Sequence, residues 1–219
     1  MRYIWVLVGL VCFFSNEGKE MIPLPKPKTD GTYSVEKTIK ERRSVRSYTS
    51  GSLSLEQISQ LLWALQGITG TGHGTQLRVA PSAGALYPLE IYIVVGEVHG
   101  LTPGVYKYKC KPHELEMVKE GGEQTNLFNA ALRQKSVQSA AVNFVICGVF
   151  KRTRIKYGDR ASRYVHMEVG AAAENLYLQA TALGLGTVFV GAFDDAAVKK
   201  IINAAKDEEP LCILPVGKR

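Results

Sequence analysis

The sequence predicts a single domain in which α-helices and β-strands follow one another along the chain. Three observations lead to this expectation. The 219 residues are 46% hydrophobic and 21% charged, a composition typical of a globular domain with a sizeable core. Short runs rich in β-forming residues occur between residues 90 and 150, and residues 160–183 repeat apolar and small residues every three or four positions. This composition excludes a disordered chain, a collagen-like chain and a multi-pass membrane protein.

Residues 1–20 are expected to form a signal peptide or a membrane anchor. Arg2 supplies a positive charge, and the 12 residues from 3 to 14 form an apolar run too short to span a bilayer comfortably. Phe13 lies where a small residue is preferred before a cleavage site. We expect an exported protein (periplasmic, extracellular or membrane-anchored), or a cytoplasmic one if the start codon is assigned wrongly. Residues 21–33 then form a proline-stiffened, extended leader before a domain over residues 34–219.

Local signals place the elements of that domain in order. Helices are predicted over residues 35–43, from a capping box at Ser54 and Gln57 to Gly67, over 160–183, and over 195–205 after the capping residue Asp194. Strands are predicted over residues 90–95, 104–108, 115–118, 142–150, 187–190 and 210–216, and the strand over 142–150 is expected to be buried on both faces. The glycine-rich residues 70–76 are expected to form a mobile surface loop, because they lack the spacing of a phosphate-binding loop.

Cysteine, histidine and charge patterns limit the possible functions. The cysteines, Cys12 included, contain no C-x-x-C pair and the histidines are scattered, which predicts neither a disulfide framework nor a metal site. The formal net charge of +7 fits an anionic partner. Residues 151–163 carry six basic residues against one acidic residue, yet Tyr157 is almost the only aromatic residue among them. Nucleic-acid binding is therefore not expected.

Three segments could carry chemistry. Residues 42–46 place Arg42, Arg43 and Arg46 around Ser44, which suits an anion clamp, although a solvated basic helix end is the alternative. Residues 81–88 hold small residues between two prolines, so their backbone could approach a flat ligand or form an ordinary tight turn. Residues 190–195 form a strand-to-helix turn with backbone donors, or simply a capped helix start.

Taken together, the chain resembles the nitroreductase superfamily of flavoproteins, and within it the SagB-type (SagB/ThcOx) dehydrogenase branch. The matching segments are RRSVRSY (42–48), LLWALQGI (61–68), APSAGALYPLEIY (80–92), KYGDR (156–160), ENLYLQA (174–180), GLGTVFVGAFDD (184–195) and EPLCILPVG (209–217). The resemblance implies an α+β, nitroreductase-like FMN-binding fold with a central, mostly antiparallel sheet flanked by helices. It also implies a homodimer with FMN at the interface, each site being built from both chains.

The resemblance further implies roles for individual residues. Arg42 and Ser44 would hold the FMN phosphate, with Arg43 in the same cluster, and Arg46 would lie near N1 and O2 of the ring. The backbone of Pro81, Ser82, Ala83, Gly84 and Leu86 would line the ring from the partner chain. Gln134 would take the polar position at the pyrimidine edge, Gly191 and Ala192 would offer amides near N5 and O4, and Lys218 and Arg219 could reach the phosphate.

The implied activity is hydride transfer through flavin N5, with quinone- or nitro-type small molecules as acceptors and NAD(P)H as the generic donor. In azoline-oxidising members of this branch a Lys-Tyr pair is catalytic, and Lys156 and Tyr157 stand at that place. Azoline-to-azole oxidation of a peptide is therefore one alternative, although export argues against it. A flavin-binding protein without catalysis and a basic surface-binding module are others. Ala171 and Glu174 depart from the branch, which often has histidine and glutamine there.

Overall fold

The structure is a computed structural model that describes residues 20–72 and 74–219. The predicted export segment up to residue 19, with Cys12, and His73 lie outside the described residues. Of the predicted leader, residues 21–23 form a short edge strand, which pairs with the sheet rather than running free.

The centre of the fold is a seven-stranded sheet whose strand pairs are all antiparallel. Together with two strands outside this sheet, the strands in chain order are β1 (Met21–Pro23), β2 (Ile68–Gly72), β3 (Thr75–Arg78), β4 (Leu89–Val95), β5 (Gly104–Lys109), β6 (Glu114–Glu120), β7 (Val142–Gly148), β8 (Leu185–Thr187) and β9 (Glu209–Lys218). The order across the sheet is β1-β6-β5-β4-β7-β9-β8, and β2 and β3 form a separate hairpin. The predicted antiparallel sheet is confirmed.

Helices cover both faces of this sheet. They are α1 (Val35–Glu41), α2 (Leu55–Gln66), α3 (Gln124–Ala130), α4 (Lys135–Ser139), α5 (Phe150–Tyr157), α6 (Ala161–Ala182) and α7 (Asp195–Ile201). Along β7, Phe144 and Ile146 pack under α2 and α6, whereas Val145 and Cys147 pack under α3, α4 and α7. Side chains of a strand alternate between its faces, so each face of β7 joins its own apolar core. The strand is buried along its whole length, as predicted.

The helix boundaries follow local capping chemistry. The Ser54 backbone N–H donates to Gln57 Oε1 (3.0 Å), and the Gln57 N–H donates to Ser54 Oγ (3.3 Å), which is the predicted capping box. Asp194 accepts from the N–H of Ala197 (2.9 Å) and starts α7. Helix α6 also matches its prediction closely.

Three predictions of local structure are wrong. Residues 70–72 and 75–76 are not a loop, because they belong to strands β2 and β3, whose cross-strand hydrogen bonds outweigh the flexibility of the glycines. The strand predicted over 142–150 ends at Gly148, and Phe150 begins α5, which occupies most of the basic run. The strand predicted over 187–190 lies two residues earlier, as β8 (Leu185–Thr187), and Val190 makes only an isolated bridge with Ile213. Helices α3 and α4 carry no strong local signal and were not predicted.

A buried polar group ties β4 and β5 to the chain before β9. Glu208 is 4% exposed and accepts hydrogen bonds from the Tyr92 hydroxyl and from Lys107 Nζ. Burial raises the pKa of the Glu208 carboxyl, but the hydrogen bonds from Lys107 and Tyr92 outweigh it, so this pKa lies below its ordinary value. The charged form of Glu208 therefore stabilises the fold at neutral pH.

Within residues 20–72 and 74–219, no helix is both long enough and apolar enough to cross a membrane. The same residues contain no group of three or more His, Cys, Asp or Glu side chains placed to hold a metal ion. Their three cysteines, Cys110, Cys147 and Cys212, are free thiols.

Candidate active site

The predicted anion clamp lies where the chain after α1 meets β8 and α6. Ser44 pairs with Thr187 of β8, and the Val45 N–H donates to the Thr187 carbonyl (2.8 Å). Tyr48 fixes the other end of the segment, because its Oη donates to the carbonyl of Pro215 in β9 (2.9 Å). The segment is therefore an extra, short edge of the sheet: Val45 and Tyr48 pack against Gly186 and Gly217, while Ser44 and Arg46 are exposed.

The side chains on that edge form a group that we call the arginine cluster: Arg42, Ser44, Arg46, Tyr177 and Arg219. Ser44 Oγ lies 3.2 Å from the Tyr177 hydroxyl, and the Arg42 guanidinium lies 5.3 Å from the centre of the Tyr177 ring. Arg219 Nη2 reaches Thr181 Oγ1 at 3.4 Å, one turn of α6 beyond Tyr177. Ser44 and Arg46 are exposed. The cluster can therefore bind an anion with two or three guanidinium groups and a hydroxyl.

Two neighbours modify this cluster. Glu174, the residue that departs from the branch, lies 3.8 Å from Arg42 Nε and partly neutralises it. Arg43 turns away, because its Nη1 donates to the carbonyls of Lys40 (2.9 Å) and Arg42 (2.7 Å) at the end of α1. Arg43, one of the three arginines predicted to form the anion clamp, thus already donates hydrogen bonds to backbone carbonyls.

The predicted small-residue segment, which we call the small-residue turn (Pro81–Leu86), is held in a demanding backbone conformation. Gly84 has φ +62° and Ala85 has φ +54°, both in the left-handed region that favours glycine. The Ser82 hydroxyl accepts the backbone N–H of Tyr87 (2.8 Å) and closes the turn. Residues held in this region cluster at functional sites, because the surrounding structure must compensate for their strain.

Lys156 and Tyr157 lie directly on this turn. A Cβ atom built on Gly84 would lie 3.0 Å from the Tyr157 hydroxyl and 3.1 Å from Lys156 Nζ. Tyr157 is fixed by an edge-on contact with Tyr164 of α6, with 4.9 Å between the ring centres. Lys156 is exposed and lies 5.6 Å from the centre of the Tyr157 ring. The structure thus brings the predicted catalytic pair and the predicted ligand-lining backbone together, and any side chain at position 84 would crowd this approach.

Glu168 supports the turn from α6. Its Oε1 accepts the Ala83 N–H at 2.9 Å, and the side chain is 7% exposed. Burial raises the pKa of this carboxyl, and the hydrogen bonds from Ala83 and Ser82 only partly offset that rise. Glu168 and the pair Lys156–Tyr157 therefore contact the same turn, and a buried carboxyl group with a raised pKa is a candidate for proton transfer.

The third predicted group joins Gln134 to the residues after β8. Gln134 Nε2 donates to the carbonyls of Ala192 (2.9 Å) and Ala131 (3.1 Å). Gly191 and Ala192 are exposed, and within residues 20–72 and 74–219 their backbone N–H groups have no hydrogen-bond acceptor. We call these two residues the amide pair. They offer two backbone donors to a ligand edge.

The geometry of α6 separates these groups. The arginine cluster contacts α6 at Tyr177, and the small-residue turn contacts it at Glu168. Nine residues are two and a half helical turns, so the two contacts lie about 14 Å apart along the axis and on opposite sides of the helix. The amide pair lies on the arginine-cluster side, because the Phe189 N–H donates to the Tyr177 hydroxyl (2.7 Å) three residues before Ala192.

Three functional residues in these groups were not predicted from the sequence. Tyr177 reads as part of the apolar stripe of α6, Glu168 as one of its charged positions, and Thr187 as a strand residue. The only signal in α6 was a phenol and a carboxyl among its small and apolar residues. Thr187 Oγ1 is buried without a hydrogen-bond partner in the described part of the chain, directly behind Ser44.

A wide groove of about 770 Å³ lies elsewhere, between residues 26–33, α1, α2 and the C-terminal half of α6. None of the predicted site residues lines it. The candidate site residues therefore do not coincide with that groove, and the arginine cluster and the small-residue turn lie at the surface.

Comparison with known proteins assigns the chain to a family. Residues 39–218 match the nitroreductase family. The nitroreductase-like protein MJ1384 of Methanocaldococcus jannaschii is 43% identical over 185 residues, which are 84% of this chain and 91% of that protein. A nitroreductase-type crystal structure from Anabaena variabilis superposes with a TM-score of 0.80 at 27% identity, covering 91% of this chain and 42% of that chain.

The microcin B17-processing protein McbC of Escherichia coli is 29% identical over 157 residues. That match covers 69% of this chain but only 57% of McbC, so the chain spans little more than half of that relative. The family match covers most of the described chain, and the MJ1384 match covers nearly all of that relative. The chain therefore belongs to the nitroreductase family of oxidoreductases.

Proposed function

We propose that this protein is an FMN-dependent oxidoreductase that transfers hydride between a donor such as NAD(P)H and a small quinone- or nitro-type acceptor. The observation that carries the proposal is the contact of Lys156 and Tyr157 with the strained small-residue turn, next to the buried Glu168. FMN, when bound, would supply hydride chemistry at its N5 atom. The residues of this chain bind FMN, orient the substrate, and donate or accept the proton.

The phosphate of FMN fits the arginine cluster. Arg42, Arg46 and Arg219 supply positive charge and Ser44 a hydroxyl, and the partnerless Thr187 hydroxyl lies behind them. A phosphate accepts several charge-assisted hydrogen bonds, for which guanidinium groups are well suited. The exposed N–H groups of the amide pair, with Gln134 beside them, suit the polar edge of the ring.

Lys156 and Tyr157 are the residues that transfer the proton. An ammonium and a phenol that both lie against one turn can donate or accept a proton at a substrate atom held over that turn. Glu168 orients the turn by binding the Ala83 N–H, and its buried carboxyl can exchange a proton with its surroundings. These residues hold or move protons while the hydride is transferred.

The separation along α6 supports a homodimer. In one chain the arginine cluster, which would hold the phosphate, and the small-residue turn, which would line the ring, lie about 14 Å apart along the axis and on opposite sides of that helix. The turn of a second copy can complete the site. The exposed apolar side chains Ile155 (88%), Met167 (62%) and Ile39 (58%) provide surface for such an interface. An N-terminal export signal or membrane tether stays part of the proposal.

Oxidation of azoline rings in a peptide is the second candidate. It is favoured by the likeness to McbC and by the position of Lys156 and Tyr157. Turnover of a thiazoline-containing peptide, set against turnover of a quinone and a nitroarene, separates the two candidates.

The absorption spectrum of the purified protein is the first test. We expect a yellow protein that releases one FMN for each subunit, and Arg42→Gln should weaken FMN binding about 10- to 100-fold through loss of charge-assisted hydrogen bonds. The matched control is Lys40→Gln, since Lys40 is exposed on α1 and lies outside the cluster. A colourless protein that stays colourless after FMN is added would refute the proposal. Bound FMN without turnover on any donor would instead identify a flavin carrier.

A further inference from the structure

We propose that a cavity at the outer ends of two inner strands of the sheet, separate from the groups proposed to bind the flavin, binds the phosphate group of a small molecule. This edge cavity has a volume of about 360 Å³ and lies where β4 begins and β5 ends, between the end of β3 and the start of α5. Its volume is at the lower end of the range for small-molecule sites. Five cationic side chains line it: Arg78, Lys107, Lys109, Lys111 and Arg152.

The charges around the edge cavity do not balance. Lys107 pairs with Glu90 (3.4 Å) and Glu208, Lys109 pairs with Glu116, and Arg152 pairs with Glu90. Within ion-pair distance the five cations thus face three carboxylates, and the Glu168 carboxyl lies farther away but still within electrostatic range of Arg78. An uncompensated positive potential in a partly enclosed site attracts anions.

Arg78 and Lys111 are the two cations of the cavity that form no ion pair within the described residues, although Arg78 acts at longer range on the Glu168 carboxyl. Arg78 is held in place, because its Nη1 donates to Gln66 Oε1 (2.9 Å) and its guanidinium lies 4.8 Å from the centre of the Tyr87 ring. The remaining guanidinium donors of Arg78 have no partner among the described residues. Lys111 is exposed and has no ion pair in that part of the chain. A preorganised guanidinium beside an exposed ammonium suits phosphate, which accepts charge-assisted hydrogen bonds from both.

The edge cavity adjoins the candidate catalytic pair. Arg152 lies one helical turn before Lys156 on α5, so their Cβ atoms are about 6 Å apart. Arg152 Nη1 also donates to the Tyr87 carbonyl (3.0 Å), just after the small-residue turn. A phosphorylated molecule bound in the edge cavity could therefore extend to Lys156. This last step rests on the proposed function, whereas phosphate binding itself does not.

Calorimetric titration of the full-length protein with inorganic phosphate, at constant ionic strength, tests the binding. We expect binding that weakens about 10- to 100-fold in the double variant Arg78→Gln/Lys111→Gln. The double variant Lys200→Gln/Lys206→Gln removes two exposed lysines outside the cavity and should bind like wild type. Absence of phosphate binding in wild type, or equal binding by both double variants, would overturn the proposal.

Parallel titrations with NADPH and NADH identify the source of the phosphate. A preference for NADPH that disappears in Arg78→Gln/Lys111→Gln assigns the edge cavity to the donor's extra phosphate. Equal affinity for both nucleotides, with inorganic phosphate still bound through Arg78 and Lys111, assigns it to free phosphate or to another phosphorylated molecule. The FMN absorption and the circular dichroism of each sample are recorded as well, so that loss of the flavin or of the fold is distinguished from loss of the cavity.

Discussion

Replacing Gly84 by alanine should impair chemistry more than it impairs folding. The new Cβ would lie 3.0 Å from the Tyr157 hydroxyl and 3.1 Å from Lys156 Cδ and Nζ, which is closer than ordinary van der Waals contact. Both side chains must therefore move by a few tenths of an ångström. The left-handed φ of +62° adds about 1–2 kcal/mol of backbone strain for alanine.

The strain alone should lower the melting temperature by about 2–8 °C. The displacement of Lys156 and Tyr157, the proposed catalytic pair, should lower turnover by about tenfold, since a misplacement of 1 Å costs about a hundredfold. Gly100→Ala is the matched control: Gly100 has φ +84°, and a Cβ there would meet nothing within 4 Å. The Gly100→Ala variant therefore has the same kind of backbone strain but no new contact with Lys156 and Tyr157.

The assay combines thermal unfolding with steady-state reduction of a quinone by NAD(P)H, in both variants and in the wild type. Gly84→Ala and Gly100→Ala should lose similar stability, while only Gly84→Ala loses turnover. If turnover falls equally in both variants, or in neither, then the close approach at Gly84 does not position the catalytic pair.

Three further predictions concern ionisable groups. Lys156→Ala should lower turnover at least about a hundredfold with unchanged FMN content, whereas the exposed Arg154→Gln on the same helix should not; unchanged turnover of Lys156→Ala on every substrate would remove its catalytic role. Glu208→Gln should lose about 1.5–3 kcal/mol of unfolding free energy at pH 7, by urea titration. Because the pKa of Glu208 is lowered in the folded state, this loss should vanish as the pH falls below about 4, and a constant difference would contradict the argument. The pKa of Glu168 is raised, so its charge destabilises the fold at neutral pH; Glu168→Gln, which can still accept the Ala83 N–H, should melt about 2–4 °C higher at pH 7 and like wild type near pH 3. A lower melting temperature at pH 7 would show that the charge is needed.

The elements that could be predicted are those whose signals are local. Ser54 and Gln57 satisfy each other's backbone donors within one turn, so α2 could be placed from the sequence. The β2–β3 hairpin could not, because glycines indicate flexibility unless a partner strand is known. Helix α5 could not either: it is strongly basic, and Thr153 is its only buried residue, so it depends on packing against α6.

The residues of the candidate site also divide into those with a local sequence signal and those without one. The segments around Ser44, Gly84 and Lys156 could be found because each has an unusual local composition. Glu168 and Tyr177 could not, because their hydrogen bonds reach Ala83 and Ser44 across 85 and 133 residues. No periodicity in the sequence specifies such partners, and only the folded sheet and α6 bring them together.

These long separations in sequence also affect how quickly the folding chain becomes able to bind a ligand at the arginine cluster. The Tyr48–Pro215 hydrogen bond spans 167 residues and the Ser44–Tyr177 contact 133, so the arginine cluster depends on pairings that chains form slowly. Intermediates with only β4, β5 and β6 paired would lack the cluster altogether. Cofactor uptake should therefore lag behind the appearance of secondary structure during refolding, and a ligand that binds the cluster would select the fully folded molecules from the partly folded ones.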